Sequence, residues 1–157
     1  MKSRQPTASA SEHAARPGNR DLIRRLAWFR YSLRQFLRFS ERAARDCGVT
    51  PQQHQLILGV AGYTGRDWAT IGELAEFLQE RHNAVVGLVE RASRRGLVRK
   101  VQSAADRRFV RVHLTAKGEA VLGRLSHLHQ NEAARLAARM LAENRARPRT
   151  IEPAKGA

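Results

Sequence analysis

The chain's 157 residues and 17.7 kDa suit one domain, with at most an oligomerisation arm, and leave no room for a second independent catalytic domain. Its 29 Lys+Arg against 14 Asp+Glu give a formal net charge of +15 and a pI near 11.6, beyond what solubility requires, and so point to a polyanionic partner. Hydrophobic residues at 42% permit a core, and the lone Cys47 excludes an internal disulfide or a cysteine-clustered zinc site and fits a reducing compartment. Lysine stands only at Lys2, Lys100, Lys117 and Lys155, so arginine dominates the basic set. Arginine suits bidentate contacts with phosphate and base edges, although a G+C-rich genome would leave the same bias. The first 20 residues lack an apolar stretch of signal-peptide type, and the longest apolar run, 56–63, is too short to span a bilayer. A soluble cytoplasmic protein without a membrane partner is expected.

Residues 1–19 mix Ser, Ala, Pro and Arg without periodicity and read as a flexible tail. Over 20–47, Leu22, Leu26, Phe29, Leu33, Phe36 and Leu37 recur at spacings of mostly 3 and 4, the mark of an amphipathic helix. Its other face carries Arg30, Arg34, Arg38 and Arg42, like charges one turn apart that repel. Burial of the apolar stripe against other helices, including those of a second subunit, has to outweigh that repulsion. The arginine row itself reads as a solvated face or as a phosphate-contacting one.

A compact lobe is expected over 50–114. Thr50-Pro51-Gln52-Gln53 is a capping box with proline at the first helical position, leading into Leu56, Ile57 and Val60. After the GYTGRD break, Thr70 to Glu73 forms a second box before Leu74, Ala75 and Leu78. The next helix, about 81–95, turns Val85, Leu88, Val89 and Ala92 inward and is stopped by Gly96. Its opposite side holds Asn83, Gly87, Glu90 and Arg94, flanked by Val86 and Arg91. Beyond Gly96 the period becomes 2: residues 97–101 and 109–114 read as an antiparallel hairpin joined by QSAADRR. Thr115 caps a last helix over 115–143 with Val121, Leu122, Leu125, Leu128, Leu136 and Met140 at mostly helical spacing, and 144–157 reads as a second tail. The fold class is therefore mainly α with a small β-hairpin wing: a winged helix-turn-helix between dimerisation helices.

The runs ATIGELAEFL, VVGLVERASRRGLVRK and ADRRFVRVHLTAKGEAVL, with Asp106 and Arg108 as D-x-R and Leu114, Thr115 and Gly118 as LT-x-x-G, resemble the multiple-antibiotic-resistance regulator (MarR) family of bacterial transcription factors. The resemblance spans about residues 22–142. It implies a homodimer whose two winged helices bind one pseudo-palindromic site on double-stranded DNA, more often as a repressor than as an activator. It places the recognition helix at 81–95, and Arg107 or Arg108 of the wing against phosphate or the minor groove.

The DNA-facing set is then Arg81, His82, Asn83, Val86, Gly87, Arg91, Arg94, Arg107 and Arg108. Asn83 suits the adenine edge and Val86 a thymine methyl, so direct readout is modest, and phosphate contacts and DNA shape carry much of the affinity. Two other readings stand beside this: Asn83 as the cap of the recognition helix, and Gly87 as plain drift rather than close approach to DNA. Family members commonly take small aromatic effectors; Trp28, Tyr31 and His54 are candidates to line such a pocket, or else they pack the arm interface.

No cofactor, metal or catalytic residue is expected. His127 and His129, two apart on a helix, face different ways and cannot chelate one ion, and Cys47 reads as a small buried hydrophobe. Glu73, Glu76, Glu80 and Glu90 fall on helix faces expected to be exposed, and nucleophile-elbow, phosphate-loop and zinc-protease motifs are missing. The rival reading is a sequence-independent nucleic-acid-binding winged helix of nucleoid or RNA-associated type.

Overall fold

The computed structural model describes residues 17–102 and 110–145. In chain order these form α1 (Pro17–Asp46), α2 (Pro51–Ala61), β1 (Trp68–Thr70), α3 (Ile71–Leu78), α4 (His82–Arg94), β2 (Val98–Gln102), β3 (Val110–Leu114) and α5 (Ala116–Arg145). Helix α1 takes in residues 17–19, which the sequence reading leaves in a tail; a proline at the first helical position costs no hydrogen bond. It stops at Gly48, whose φ of +78° is the left-handed conformation that glycine enters without strain, with Val49 N–H donating back to the Ala44 carbonyl at 3.0 Å. Gly96, with φ of +69°, ends α4 in the same way.

Phe36–Ala134 forms one compact unit. Its core joins Ala43, Ala44 and Val49 to Leu56, Ile57 and Val60 of α2, Leu74 of α3, Val85, Leu88, Val89 and Ala92 of α4, and Val121 and Leu125 of α5. The four inward residues of α4 are those the helical spacing selects, because side chains at i, i+3, i+4 and i+7 share one face. Both capping boxes are closed in both directions: Thr50 Oγ1 accepts from Gln53 N–H, Thr70 Oγ1 accepts from Glu73 N–H, and each N3 side chain accepts from the backbone N–H of its cap residue. Thr115 Oγ1 caps α5 by accepting from Gly118 N–H at 3.1 Å.

The expected hairpin is instead part of a three-stranded antiparallel sheet in the order β1-β3-β2. Strand β3 pairs with β2 from Val98↔Leu114 to Gln102↔Val110, and with β1 at Trp68↔His113, Ala69↔Val112 and Thr70↔Arg111. Three residues between a turn and a capping box show no period of 2, so β1 has no signature in the sequence. Ala69, Val98 and Val112 face the core.

Residues 17–35 and 135–145 belong to a second unit. Within it Arg139 donates to Gln35 Oε1 at 2.9 Å and Gln35 donates to the Tyr31 hydroxyl at 2.8 Å. Leu22, Ile23, Leu26, Phe29 and Leu141 are exposed there, each between 45% and 61%. No helix among the described residues is long and apolar enough to cross a membrane.

Candidate nucleic-acid interface

Helix α3 is held at its start by a compact polar cluster. Glu73 accepts from the Thr70 backbone and hydroxyl, both at 2.8 Å, and pairs with Arg66 at 2.6 Å. Burial pushes its carboxyl pKa up, but the Thr70 hydrogen bonds and Arg66 outweigh this and leave it below the usual range. Glu73 is therefore half-buried and paired, not on the open face that helical spacing assigns it. The Arg66 guanidinium also lies over the rings of Tyr63 (4.4 Å) and Trp68 (4.3 Å), and Arg111 lies over Trp68 at 4.3 Å. This stack fastens β1 to β3.

The left-handed Gln79 (φ 54°) then turns the chain from α3 into α4. Residue Arg81 occupies the N-cap position without a side-chain cap bond, and His82 is the first helical residue. Asn83 consequently sits inside the first turn, which overturns the reading of it as the cap: the helix starts two residues earlier than that role requires. With Val85, Leu88, Val89 and Ala92 buried, α4 exposes His82, Asn83, Val86, Glu90, Arg91 and Arg94. Gly87 is half-buried, with the Arg91 guanidinium 3.2 Å from where its β-carbon would stand.

The acidic residue on this face, Glu90, is ion-paired with Lys100 of β2, which holds its carboxyl below the usual range. The exposed arginines therefore dominate the charge that α4 presents. A cleft of about 410 Å³ opens between the start of α3, the outer face of α4 and the sheet, with His82, Val86, Glu90 and Lys100 in its wall. The structure thus brings Arg81, His82, Asn83, Val86, Gly87, Arg91 and Arg94 together on one element. Arg107 and Arg108, with Asp106, lie outside the described residues.

The aromatic candidates belong to different units. Trp28 and Tyr31 meet edge to face with centroids 5.5 Å apart in the unit of residues 17–35 and 135–145, whereas His54 is buried in the Phe36–Ala134 unit against His129. Among the described residues no group of three His, Cys, Asp or Glu is placed to hold a metal ion. The roles of Lys100 and of the Arg66–Trp68–Arg111 stack escape sequence reasoning, since single basic and aromatic residues carry no local pattern.

A sequence model of the MarR family matches residues 48–108. The M. tuberculosis transcriptional regulator MOSR, solved in complex with DNA, is 30% identical, over 69% of this chain and 77% of that one, with a TM-score of 0.55. The chain belongs to the MarR family. Two further solved structures share its fold. AbsC, a MarR family transcriptional regulator from Streptomyces coelicolor, is 19% identical over 71% of this chain and 76% of its own, with a TM-score of 0.61. BpsR of Bordetella bronchiseptica is 19% identical over 74% and 89%, with a TM-score of 0.58. No curated protein matches the chain. The MarR winged helix accounts for the order of elements α2 to β3.

Proposed function

We propose that this protein is a dimeric transcriptional regulator that binds a pseudo-palindromic DNA operator, acting as a repressor that a small aromatic effector relieves. The observation that carries the reading is the outer face of α4, where Arg81, Asn83, Arg91 and Arg94 are exposed and the acidic Glu90 is neutralised by Lys100. Asn83 and Val86 read base edges in the major groove, and the arginines, with Arg107 and Arg108 of the sequence between β2 and β3, hold phosphates. Leu22, Ile23, Leu26, Phe29 and Leu141 supply the dimer contact, because exposed apolar side chains so closely grouped mark an association surface. The complex of MOSR with DNA supports the DNA-binding role, and the regulation of DNA binding by 6-hydroxynicotinic acid in BpsR supports a small-molecule effector.

Selection of bound fragments from a random duplex library tests the reading. A recovered motif with two-fold symmetry, retained against excess unrelated duplex, is the expected result. Binding that random duplex competes away on equal terms would instead make the protein a sequence-independent nucleic-acid binder.

A further inference from the structure

Glu90 puts a carboxylate on the outer face of α4, in one stripe with Asn83 and Gly87, because residues at i, i+4 and i+7 share a helix face. On the operator reading, Arg91 and Arg94 hold phosphates, and a negative charge beside them weakens that hold. Stability does not account for Glu90 either. Its ion pair with Lys100 leaves the two side chains 50% and 43% exposed, and a pair in that setting contributes at most about 1 kcal/mol.

Lys100 comes from the sheet. It stands opposite Val112 in the register and shares its side of β2 with buried Val98, while Arg99 and Val101 point the other way. Its ammonium therefore reaches across the junction of β2 with α4 and meets Glu90 in the wall of the open cleft beside Val86. Lys100 Nζ bonds only Oε2 of the carboxylate. Among the described residues Oε1 of Glu90 and the remaining N–H groups of Lys100 have no partner. An arginine at position 100 would take both carboxylate oxygens with its planar fork. The lysine leaves a hydrogen-bond acceptor and a donor open side by side.

The major-groove edge of a C·G base pair carries the complement: cytosine N4 donates, and guanine O6 and N7 accept. Asn83 and Glu90 are two helical turns apart, about 10 Å along the axis, or about three base pairs of duplex at about 3.4 Å each.

We propose that the Glu90–Lys100 pair reads one C·G base pair in each half-site, with Oε1 of Glu90 accepting from cytosine N4 and Lys100 donating to guanine O6 or N7. The inference rests on the operator reading and adds to it a second base-reading point beside Asn83. The ion pair holds both groups in place before DNA arrives, so less ordering remains to be done on binding.

Duplexes selected from a random library by the full-length protein, scored position by position, test the pair. The wild-type motif should hold a C·G pair about three base pairs from the position that Asn83→Ala relaxes. Glu90→Ala and Lys100→Ala should each cut the preference at that C·G pair by about tenfold and leave the other positions intact, although one removes a negative charge and the other a positive one. The double variant Glu90→Lys with Lys100→Glu keeps an ion pair across the same junction but exchanges donor and acceptor. It should select G·C in place of C·G.

If the exchanged variant selects the wild-type motif, the pair is a latch between α4 and β2 and reads no base. If the alanine variants shift affinity for all sequences in opposite directions with base preferences unchanged, the pair acts through charge alone and the proposal falls. Should the exchanged variant not melt cooperatively, the two alanine variants decide by the same criterion. A wild-type selection without any motif overturns the operator reading and this proposal with it, whereas a motif with no C·G pair sensitive to Glu90 overturns this proposal alone.

Discussion

His54 of α2 and His129 of α5 lie ring against ring, centroids 5.0 Å apart, and each leaves a buried nitrogen unpartnered among the described residues, Nδ1 of His54 and Nε2 of His129. His129 Nδ1 donates to the Leu125 carbonyl at 2.7 Å, and Phe36 and Phe39 meet its ring edge-on. Burial, and secondarily His129, lowers the His54 pKa from 6.5 to about 4.

A neutral His54 in the native state makes stability depend on pH. The unfolded chain takes up this proton near pH 6.5 and the folded chain does so only near pH 4, so the folded state is favoured fully above 6.5. That advantage is lost progressively as the pH falls from 6.5 to about 4, by up to about 3 kcal/mol. Urea denaturation from pH 7.5 to 4 should show the decline, and His54→Leu should flatten it. An identical slope in the variant would place the acid sensitivity elsewhere.

Gly118 packs where no side chain fits: a β-carbon there would stand 2.0 Å from the Leu97 carbonyl oxygen. That oxygen also accepts from Thr115 N–H at 3.1 Å, so it is not free to withdraw. Gly118→Ala should cost about 3 kcal/mol or more. Gly123→Ala, five residues along the same helix with nothing within 4 Å, should gain up to about 1 kcal/mol. Thermal melts of both variants check the contrast, and equal effects would show that the Leu97 contact is not what excludes a side chain.

The same pair of residues shows how far the sequence carries. The LT-x-x-G pattern is legible in Leu114, Thr115 and Gly118, but the reason for its glycine is a carbonyl 21 positions earlier. Local signals were readable because their physics is local. The inward residues of α4 follow from a 3.6-residue period, and the Thr50 and Thr70 boxes from three-residue spacing. Strand β1, the Arg66–Trp68–Arg111 stack and the His54–His129 contact join residues distant in the chain that share no pattern. Asn83 illustrates the remaining gap: the sequence marks the existence of α4, but its first residue depends on the extended backbone of Arg81 (φ −69°, ψ 142°).

The exposed Leu26 (54%) and Phe29 (45%) offer a direct test of the dimer. Leu26→Asp puts a charge into the proposed interface while leaving the buried residues of the Phe36–Ala134 unit untouched. Sedimentation should show the mass fall to that of one chain, and operator affinity should fall with it because each half-site then binds alone. A dimeric mass retained in Leu26→Asp would move the interface away from this surface.

Gly87 sits mid-helix on the outer face of α4, where alanine has the higher helix propensity by about 1 kcal/mol. The neighbour that its β-carbon would meet is the far end of Arg91, which can swing aside. Gly87→Ala should therefore raise the melting temperature. If the α4 backbone approaches DNA closely, the same variant should bind the operator more weakly. A more stable protein with unchanged affinity would mean that the glycine serves no contact.

Asn83→Ala should lower specificity more than general affinity. Asn83 is the exposed uncharged amide in the first turn of α4, and a bidentate amide contact discriminates between bases by about 1–3 kcal/mol, whereas a lost phosphate contact weakens all sequences alike. Operator and random-duplex affinities should converge at fixed salt. Since Arg81 holds the cap position, the substitution removes no cap, and the melting temperature should move by much less than the roughly 1 kcal/mol that a lost cap costs. Competition titrations beside thermal melts check both arms. If the affinity ratio stays as it was, Asn83 reads no base, and sequence is recognised through Arg81, His82, Val86, the arginines between β2 and β3, or the shape of the DNA.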